Sequence, residues 1–187
     1  QIMIAKVTPA NVLVYIRIFG DATRREIAVD LLRNPAVARY TIGGYISASP
    51  NVPFFASLDI PGAVANITTC NGLIGVNTPR RMALINNRYM MVGNQSNLSN
   101  TNGFFVSITT AGVAADYRLY GQPPIAGSEE LRDISSSNVL ATPTLMCGQH
   151  QRTVAWLGSA ANLNYNWLVM ANNVGAGTCP QNFVYTL

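Results

Sequence analysis

Residues 81–92 read RMALINNRYMMV, two apolar segments separated by Asn86 and Asn87. Asparagine tolerates the left-handed backbone that a tight two-residue turn requires, so the stretch predicts a β-hairpin with strands at residues 81–85 and 88–92. Residues 104–110, FFVSITT, have the β-branched and aromatic composition of another strand. The region therefore predicts consecutive antiparallel strands and favours an all-β fold.

Short segments of the same kind recur along the chain, separated by Gly, Pro and Asn. Further strands are expected at residues 2–8, 12–19, 37–47, 54–60, 63–70, 114–120, 139–146, 152–157, 165–171 and 181–186. The strand at 12–19 is expected to be buried on both faces. Strands at such short intervals, without alternating helices, exclude a doubly wound nucleotide-binding fold. We expect one antiparallel, jelly-roll-like β-sandwich domain over residues 1–187, as part of a longer polypeptide.

Two segments have the features of helices. Thr23 and Glu26 form a T-x-x-E capping box. The apolar residues that follow have helical spacing: Ile27, Ala28, Leu31 and Leu32. One short helix is therefore predicted near residues 24–33, ended by the Asn34-Pro35 pair. A second helix start is predicted at residues 128–130, SEE, because acidic side chains favour a helix N-terminus.

Charge is scarce in this chain. Charged residues make up 11% of the sequence, against roughly 25% in a typical soluble domain. Hydrophobic residues make up 49%, and nineteen asparagines supply much of the polar surface. A neutral, amide-rich surface is typical of a protein that packs against copies of itself or is exposed outside a cell.

The net charge of +4 comes from eleven arginines and one lysine, Lys6, against eight acidic residues. The arginines are scattered rather than gathered in a basic run, so the sequence has no strong nucleic-acid signature. We expect them to form ion pairs within or between subunits, which suit the planar guanidinium. No apolar stretch reaches the ~18 residues of a membrane span, so none is expected.

Residues able to do acid, base or metal chemistry are few. His150 is the single histidine and lies three residues after Cys147, but catalytic thiol and imidazole groups usually come from separate parts of a fold. The cysteines lack zinc-site spacing, and we expect them to be reduced, with a Cys70–Cys179 bridge as the alternative. We therefore expect no enzyme activity, no catalytic residues, no metal and no cofactor.

The run at residues 93–103, GNQSNLSNTNG, has one apolar side chain and predicts a long exposed loop. A second long loop is predicted at residues 121–138. The sequence N-x-[S/T] of glycosylation sites occurs at Asn66, Asn94 and Asn97. The first loop offers candidate receptor- or glycan-binding residues: Asn94, Gln95, Asn97, Asn100 and Asn102.

The combination of an all-β pattern, low charge and Asn-rich loops resembles the capsid proteins of small non-enveloped RNA viruses, in their shell or a projecting surface domain. The resemblance is carried by NVLVYIRIFG (11–20), GNQSNLSNTNGFFVSITTAG (93–112) and NYNWLVMANNVGAG (164–177). It implies a location in the virion, homo-oligomeric assembly, and attachment to a host receptor or glycan. The basic N-terminal arm of many shell proteins is not present in these residues.

A carbohydrate-binding domain, such as a lectin or a tail-fibre tip, is the alternative to a capsid protein. It would use the loop amides together with a sugar-stacking surface of aromatic side chains. The candidates for that surface are Tyr40, Tyr45, Tyr117, Tyr120, Trp156, Tyr165 and Trp167. Strand alternation also explains these aromatics as core or interface residues.

Overall fold

The chain folds into stacked antiparallel sheets. The computed structural model describes residues 1–34, 36–59, 64–70, 75–96, 101–112, 116–120, 127–136, 144–156 and 159–171. Within these ranges the regular structure is β-strand, and no helix is present. The predicted all-β fold and its β-sandwich architecture are confirmed. The predicted strand at 181–186 lies outside the described residues.

Two small sheets come first along the chain. A two-stranded hairpin is formed by β1 (Ile2–Val7) and β2 (Leu13–Phe19). A four-stranded sheet follows, in the order β3 (Arg25–Asn34), β4 (Arg39–Ser47), β5 (Val52–Asp59) and β6 (Val64–Thr69). Each neighbouring pair in both sheets is antiparallel.

The remaining strands form one larger sheet that folds over itself. They are β7 (Val76–Ile85), β8 (Arg88–Ser96), β9 (Thr101–Thr109), β10 (Asp116–Tyr120), β11 (Gly127–Ser136), β12 (Thr144–Trp156) and β13 (Ser159–Ala171). β11 pairs with β9 through a single parallel bridge, and it also lies across β7 and β8. Every other pair of hydrogen-bonded strands in this sheet is consecutive in the sequence, as in a β-meander.

The hairpin predicted at residues 81–92 is confirmed and lies at the centre of the molecule. Ile85 pairs with Arg88, and Asn86 and Asn87 have φ values of 49° and 59°. Two consecutive positive φ values are what a type I′ turn requires, and asparagine reaches them at low cost. The turn therefore sets the register of β7 against β8.

Strands β7 to β9 are covered on both faces. One face packs on the four-stranded sheet in a central core: Phe55, Cys70, Met82, Tyr89, Met91, Phe104, Val106 and Ile108. The other packs on β11 to β13 in a distal core: Ile85, Met90, Val92, Phe105, Tyr120, Leu131, Ile134, Met146, Val169 and Ala171. Because successive side chains of a strand point to opposite faces, a strand buried on both faces has a continuous apolar sequence, as in RYMMV.

The N-terminal hairpin packs on the outer face of the four-stranded sheet. This hairpin core consists of Ile2, Ile42, Phe54, Ala56 and Leu58. Ile4 and Phe19 add partly buried side chains to it. β2 is nevertheless mostly exposed, so the prediction that residues 12–19 are buried on both faces was wrong. Their continuous apolar sequence has one face toward the sheet and one face toward solvent.

The helix predicted near residues 24–33 is absent, because this segment is strand β3, paired with β4 across a bulge between Ala28 and Asp30. The extra residue of a bulge interrupts strict alternation and produces apolar spacings of three and four that resemble a helix. Leu32 packs against the central core, whereas Leu31 is 51% exposed. The apolar stripe that predicted a helix is therefore divided between two faces of a sheet.

The predicted capping box stabilises a turn instead of a helix. The Thr23 main-chain N and side-chain Oγ1 both donate to Asp21 Oδ1, at 2.8 and 2.6 Å. The Asp21 main-chain N donates to Glu26 Oε1 at 2.9 Å. The Thr23 hydrogen bonds and the nearby Arg24 lower the pKa of the Asp21 carboxyl. The same side chains that cap helices therefore satisfy the main chain between β2 and β3.

The helix start predicted at residues 128–130 was also wrong, since these residues lie on strand β11. Glu129 is buried, and Glu130 lies between two arginines. Glu130 is held by Arg80 of β7 and by Arg132 of its own strand, and not by a helix N-terminus. The same strand occupies most of the loop predicted at residues 121–138, so that loop prediction was wrong for residues 127–136.

Candidate functional site

Three of the five predicted receptor-binding residues lie at the far end of the β8–β9 hairpin. Asn94 and Gln95 belong to β8 and Asn102 to β9, with Gln95 opposite Asn102. Pairing extends to Ser96 and Thr101. The long loop predicted for residues 93–103 was therefore wrong, because the strands continue through most of it. Asn97 and Asn100 lie outside the described residues.

The amides of this hairpin end bond to each other. Gln95 is only 1% exposed, and its Oε1 accepts a hydrogen bond from Asn102 Nδ2 at 3.3 Å. The hydroxyls of Ser96 and Thr101 lie 3.1 Å apart across the same pair of strands. Buried polar groups need such partners, since an unpaired one costs about 1–3 kcal/mol. These side chains hold the two strands together, which the polar composition alone did not indicate.

Asn77, which the sequence analysis did not single out, completes a buried polar cluster beside Gln95. The two residues are opposite each other in the β7–β8 register, and Asn77 has no exposed surface. Its Nδ2 donates to the main-chain oxygen of Gly75 at 3.0 Å, and its Oδ1 accepts from Tyr117 at 3.3 Å. No signal in the sequence marked this residue, because Asn77 precedes Thr78 and Pro79 and lies before the predicted strand at 81–85.

Burial shifts the acidity of two side chains at the central core, Cys70 within it and Tyr117 packed against it. It raises the pKa of Cys70 to about 12. It raises the pKa of Tyr117 to about 12 as well. Both side chains are therefore held neutral at physiological pH. A raised pKa also argues against an activated thiolate at Cys70.

Alkaline pH is expected to destabilise the protein through these two groups. Their folded-state pKa values lie above the ordinary values of 9.0 and 10.0. The stabilising contribution is fully present below the ordinary values and is lost as pH rises through about 12. Urea unfolding at stepped pH should show the free energy of unfolding falling from pH ~9 upward. The Cys70→Ala variant lacks the thiol and should lose less stability just above pH ~9. If its free energy of unfolding falls with pH as steeply as that of the wild type, Cys70 is not one of the groups responsible.

Most arginines of the described chain are used in ion pairs within the chain. Cross-strand pairs join Arg39 Nε to Asp59 at 2.8 Å and Arg88 Nη1 to Asp116 at 2.5 Å. Arg88 Nη1 also donates to Ser107 Oγ at 3.1 Å. The predicted intradomain arginine pairs are confirmed here. Asp59 and Asp116 are thus each paired with a different arginine.

A bulge in β7 directs two consecutive arginines toward β11. Register shifts between Pro79 and Arg81. Arg80 Nε then lies 2.7 Å from Glu130, and Arg81 Nε lies 3.5 Å from Asp133. Without the bulge, neighbouring side chains would point to opposite faces. These pairs connect β7 to the strand that lies across it.

Asp30 links the four-stranded sheet to β7. Its Oδ1 accepts the main-chain N–H of Leu31 at 2.9 Å, and its Oδ2 accepts that of Met82 at 3.0 Å. Arg81 Nε is 3.5 Å from the same Oδ2. The carboxylate follows the bulge in β3, so the bulge turns it toward the neighbouring sheet. One side chain thus satisfies main-chain groups of two sheets.

The groups capable of nucleophilic or metal chemistry are dispersed in the described chain. Cys147 and His150 lie three positions apart on β12, about 10 Å along an extended strand. Burial, followed by the charge of Asp133, raises the pKa of the Cys147 thiol. Among the described residues, no three His, Cys, Asp or Glu side chains could hold a metal ion together. Cys179 and the side chain of His150 lie outside the described residues.

The proposed sugar-stacking aromatics are largely packed inside the molecule where their side chains are described. Tyr120 belongs to the distal core, and Tyr117 packs against the central core with its ring 6.4 Å from that of Phe104. Tyr40 is packed against the hairpin core. The side chains of Trp156, Tyr165 and Trp167 lie outside the described residues. The core interpretation of the aromatics therefore holds for these three tyrosines.

The largest concentration of exposed apolar side chains lies on the N-terminal hairpin. Of the large hydrophobic residues that are exposed in the described chain, seven belong to it: Met3, Val7, Val12, Leu13, Val14, Ile16 and Ile18. Their exposed fractions run from 45% to 67%. Soluble monomers rarely leave so many aliphatic side chains together in water, and such patches usually mark interaction sites. Composition did not reveal this, because residues 12–19 had the sequence of a buried strand.

No model of a known protein family matches the sequence, and no curated protein is significantly similar to it. The described chain contains no helix long and apolar enough to cross a membrane.

Proposed function

We propose that the chain is a structural domain of a non-enveloped virus particle, part of the capsid shell or of a surface projection, and that it assembles with copies of itself. The observation that carries the proposal is a low content of charged residues together with a cluster of exposed aliphatic side chains. Charged residues make up 11% of the chain, and seven large apolar residues of one hairpin are 45–67% exposed. An all-β domain with that surface is suited to packing against further subunits.

Arginine pairing strengthens the case for assembly. Arg39, Arg80 and Arg88 are used in ion pairs within the chain. They are thereby less available to keep a monomer soluble through charge repulsion. The remaining surface is neutral and Asn-rich, which favours contact between identical chains of net charge +4. In this proposal the chain resides in the virion, as part of an extracellular particle.

Attachment to a host cell is the second part of the proposal. It now rests on the connection between Ser96 and Thr101, since Gln95 and Asn102 bond to each other inside the hairpin end. The carbohydrate-binding alternative has no support from those two amides. It stays a prediction for Asn94, and for Asn97 and Asn100, which are outside the described residues.

Sedimentation velocity of the purified chain at rising protein concentration tests the assembly. The proposal predicts a discrete homo-oligomer that persists on dilution and is not weakened by added salt, since apolar burial is not screened. A species that stays monomeric at the highest concentration reached, with a normal far-UV β spectrum, would contradict it.

A further inference from the structure

We infer that the outward face of the N-terminal hairpin docks on the same face of a second copy of this chain, about a two-fold axis. The inference rests on the proposed self-association and names the surface and the symmetry through which it occurs. It concerns the residues of β1 and β2 that point away from the four-stranded sheet: Met3, Ala5, Val7, Leu13, Ile16 and Ile18.

Strand register places these side chains on one face. Met3 pairs with Ile18 and Ala5 with Ile16, while Val7 pairs with Leu13 after a bulge. Directly opposite residues of an antiparallel pair point to the same side. The opposite face holds Ile2, which is buried on the four-stranded sheet. The hairpin therefore has one face covered within its own chain and one apolar face uncovered by the described residues.

Most side chains of this face are large and lie in water. Five of its members are 45–67% exposed: Met3, Val7, Leu13, Ile16 and Ile18. Val12 and Val14 add exposed apolar surface at the turn end of the same hairpin. A contact of two such faces would remove these side chains from water on both subunits at once, and that burial would drive dimerisation.

Charge selects a second copy as the occupant. Every side chain on the outward face is neutral, and the charged residues of the hairpin, Lys6 and Arg17, pair with Tyr15 and Ile4 on the other face. Arg17 also lies over the Tyr15 ring at 5.5 Å, on that same side. Two chains of net charge +4 can stack these faces without bringing like charges together. An anionic membrane would instead favour basic side chains on the docking face.

The uniform apolar character of the face is compatible with a contact between two identical copies. A two-fold interface uses the same patch on both subunits, so each residue must be compatible with its symmetry mates. An apolar strand pair of uniform character meets that condition, because no position needs a donor, an acceptor or an opposite charge from its partner. The centre of the face lies near Ala5 and Ile16, which are directly opposite on the two strands.

Glutamate substitution on this face is the test. Ile18→Glu should weaken dimerisation by at least ~100-fold, because the new carboxylate would be buried without a partner. The matched control is Leu119→Glu, a half-exposed aliphatic on β10, which should leave the dissociation constant unchanged. Because Ile18 is 62% exposed, the variant should keep its fold, which circular dichroism and urea unfolding can check.

Symmetric cross-linking places the axis. In a Cys147→Ser background, Ala5→Cys should form a reducible dimer on mild oxidation, whereas Leu119→Cys should stay monomeric under denaturing electrophoresis. A cross-link for Leu119→Cys alone would overturn the inference.

The outcomes separate this inference from the proposed function. If wild-type chains associate and Ile18→Glu associates equally well, the hairpin inference is wrong while self-assembly stands. A wild-type chain that remains monomeric, or that binds vesicles of neutral phosphatidylcholine in place of a second copy, overturns both. Loss of association in Ile18→Glu, together with the Ala5→Cys cross-link, supports the two-fold contact.

Discussion

Replacing Phe105 with alanine is expected to lower the free energy of unfolding by about 3–5 kcal/mol, and the same change at the adjacent Phe104 should cost as much. Both rings are fully buried, but Phe104 lies in the central core and Phe105 in the distal core. In a sheet with one solvent face, only one of two neighbouring positions would be costly. Large losses in the free energy of unfolding at both positions would therefore show that β9 is covered on both faces.

Urea unfolding of the two variants measures the effect, with Leu119→Ala as the control. Leu119 pairs with Phe104 in the register of β9 and β10 but is 47% exposed, so its loss should stay below about 1 kcal/mol. Where the alanine variants fail to fold, Phe104→Leu and Phe105→Leu should each still cost about 1 kcal/mol. A loss near zero at either phenylalanine would mean that one face of β9 is open to solvent.

Replacing Asp30 with alanine is expected to cost about 1–3 kcal/mol, because it leaves the Met82 main-chain N–H without its acceptor. Met82 is 3% exposed, so water cannot readily replace the carboxylate oxygen. Asp30→Asn keeps a side-chain oxygen at the same position and should retain most of the stability. The difference between these two variants measures the link between the four-stranded sheet and β7.

Arg81→Ala separates the hydrogen bonds of Asp30 from its ion pair. The Arg81 side chain is 57% exposed and lies 3.5 Å from Asp30, so the pair should contribute less than about 1 kcal/mol. Chemical denaturation of the three variants side by side gives the ranking. An Arg81→Ala loss equal to that of Asp30→Ala would show that the ion pair, and not the main-chain contact, holds the sheets together.

Local sequence was sufficient for the fold where turn chemistry and strand pattern agreed. Asn86 and Asn87 predicted the β7–β8 hairpin, and the structure has a tight turn at that position. It was insufficient at residues 24–33, where a bulge after Ala28 imitated helical spacing. A bulge depends on the partner strand, because only pairing with β4 makes the extra residue visible. The secondary-structure propensity of one segment does not show which strand will pair with it.

The candidate site was harder to predict, because exposure of a polar or apolar residue depends on the layer above it. Gln95 and Asn102 looked like an exposed loop, but they bond to each other at a covered hairpin end. Ile16 and Ile18 looked like a buried strand, yet β2 has only one packed face. In both places the local composition was clear, but the sequence did not show how many sheets cover the segment.

Electron microscopy of the purified full-length product tests the central claim most directly. The proposed function predicts regular particles, or symmetric oligomers of one size, in which the N-terminal hairpins meet in pairs. The matched Ile18→Glu and Leu119→Glu variants should differ, with particles or oligomers lost in the first and kept in the second. A uniform field of single monomers from the wild-type product would contradict the account.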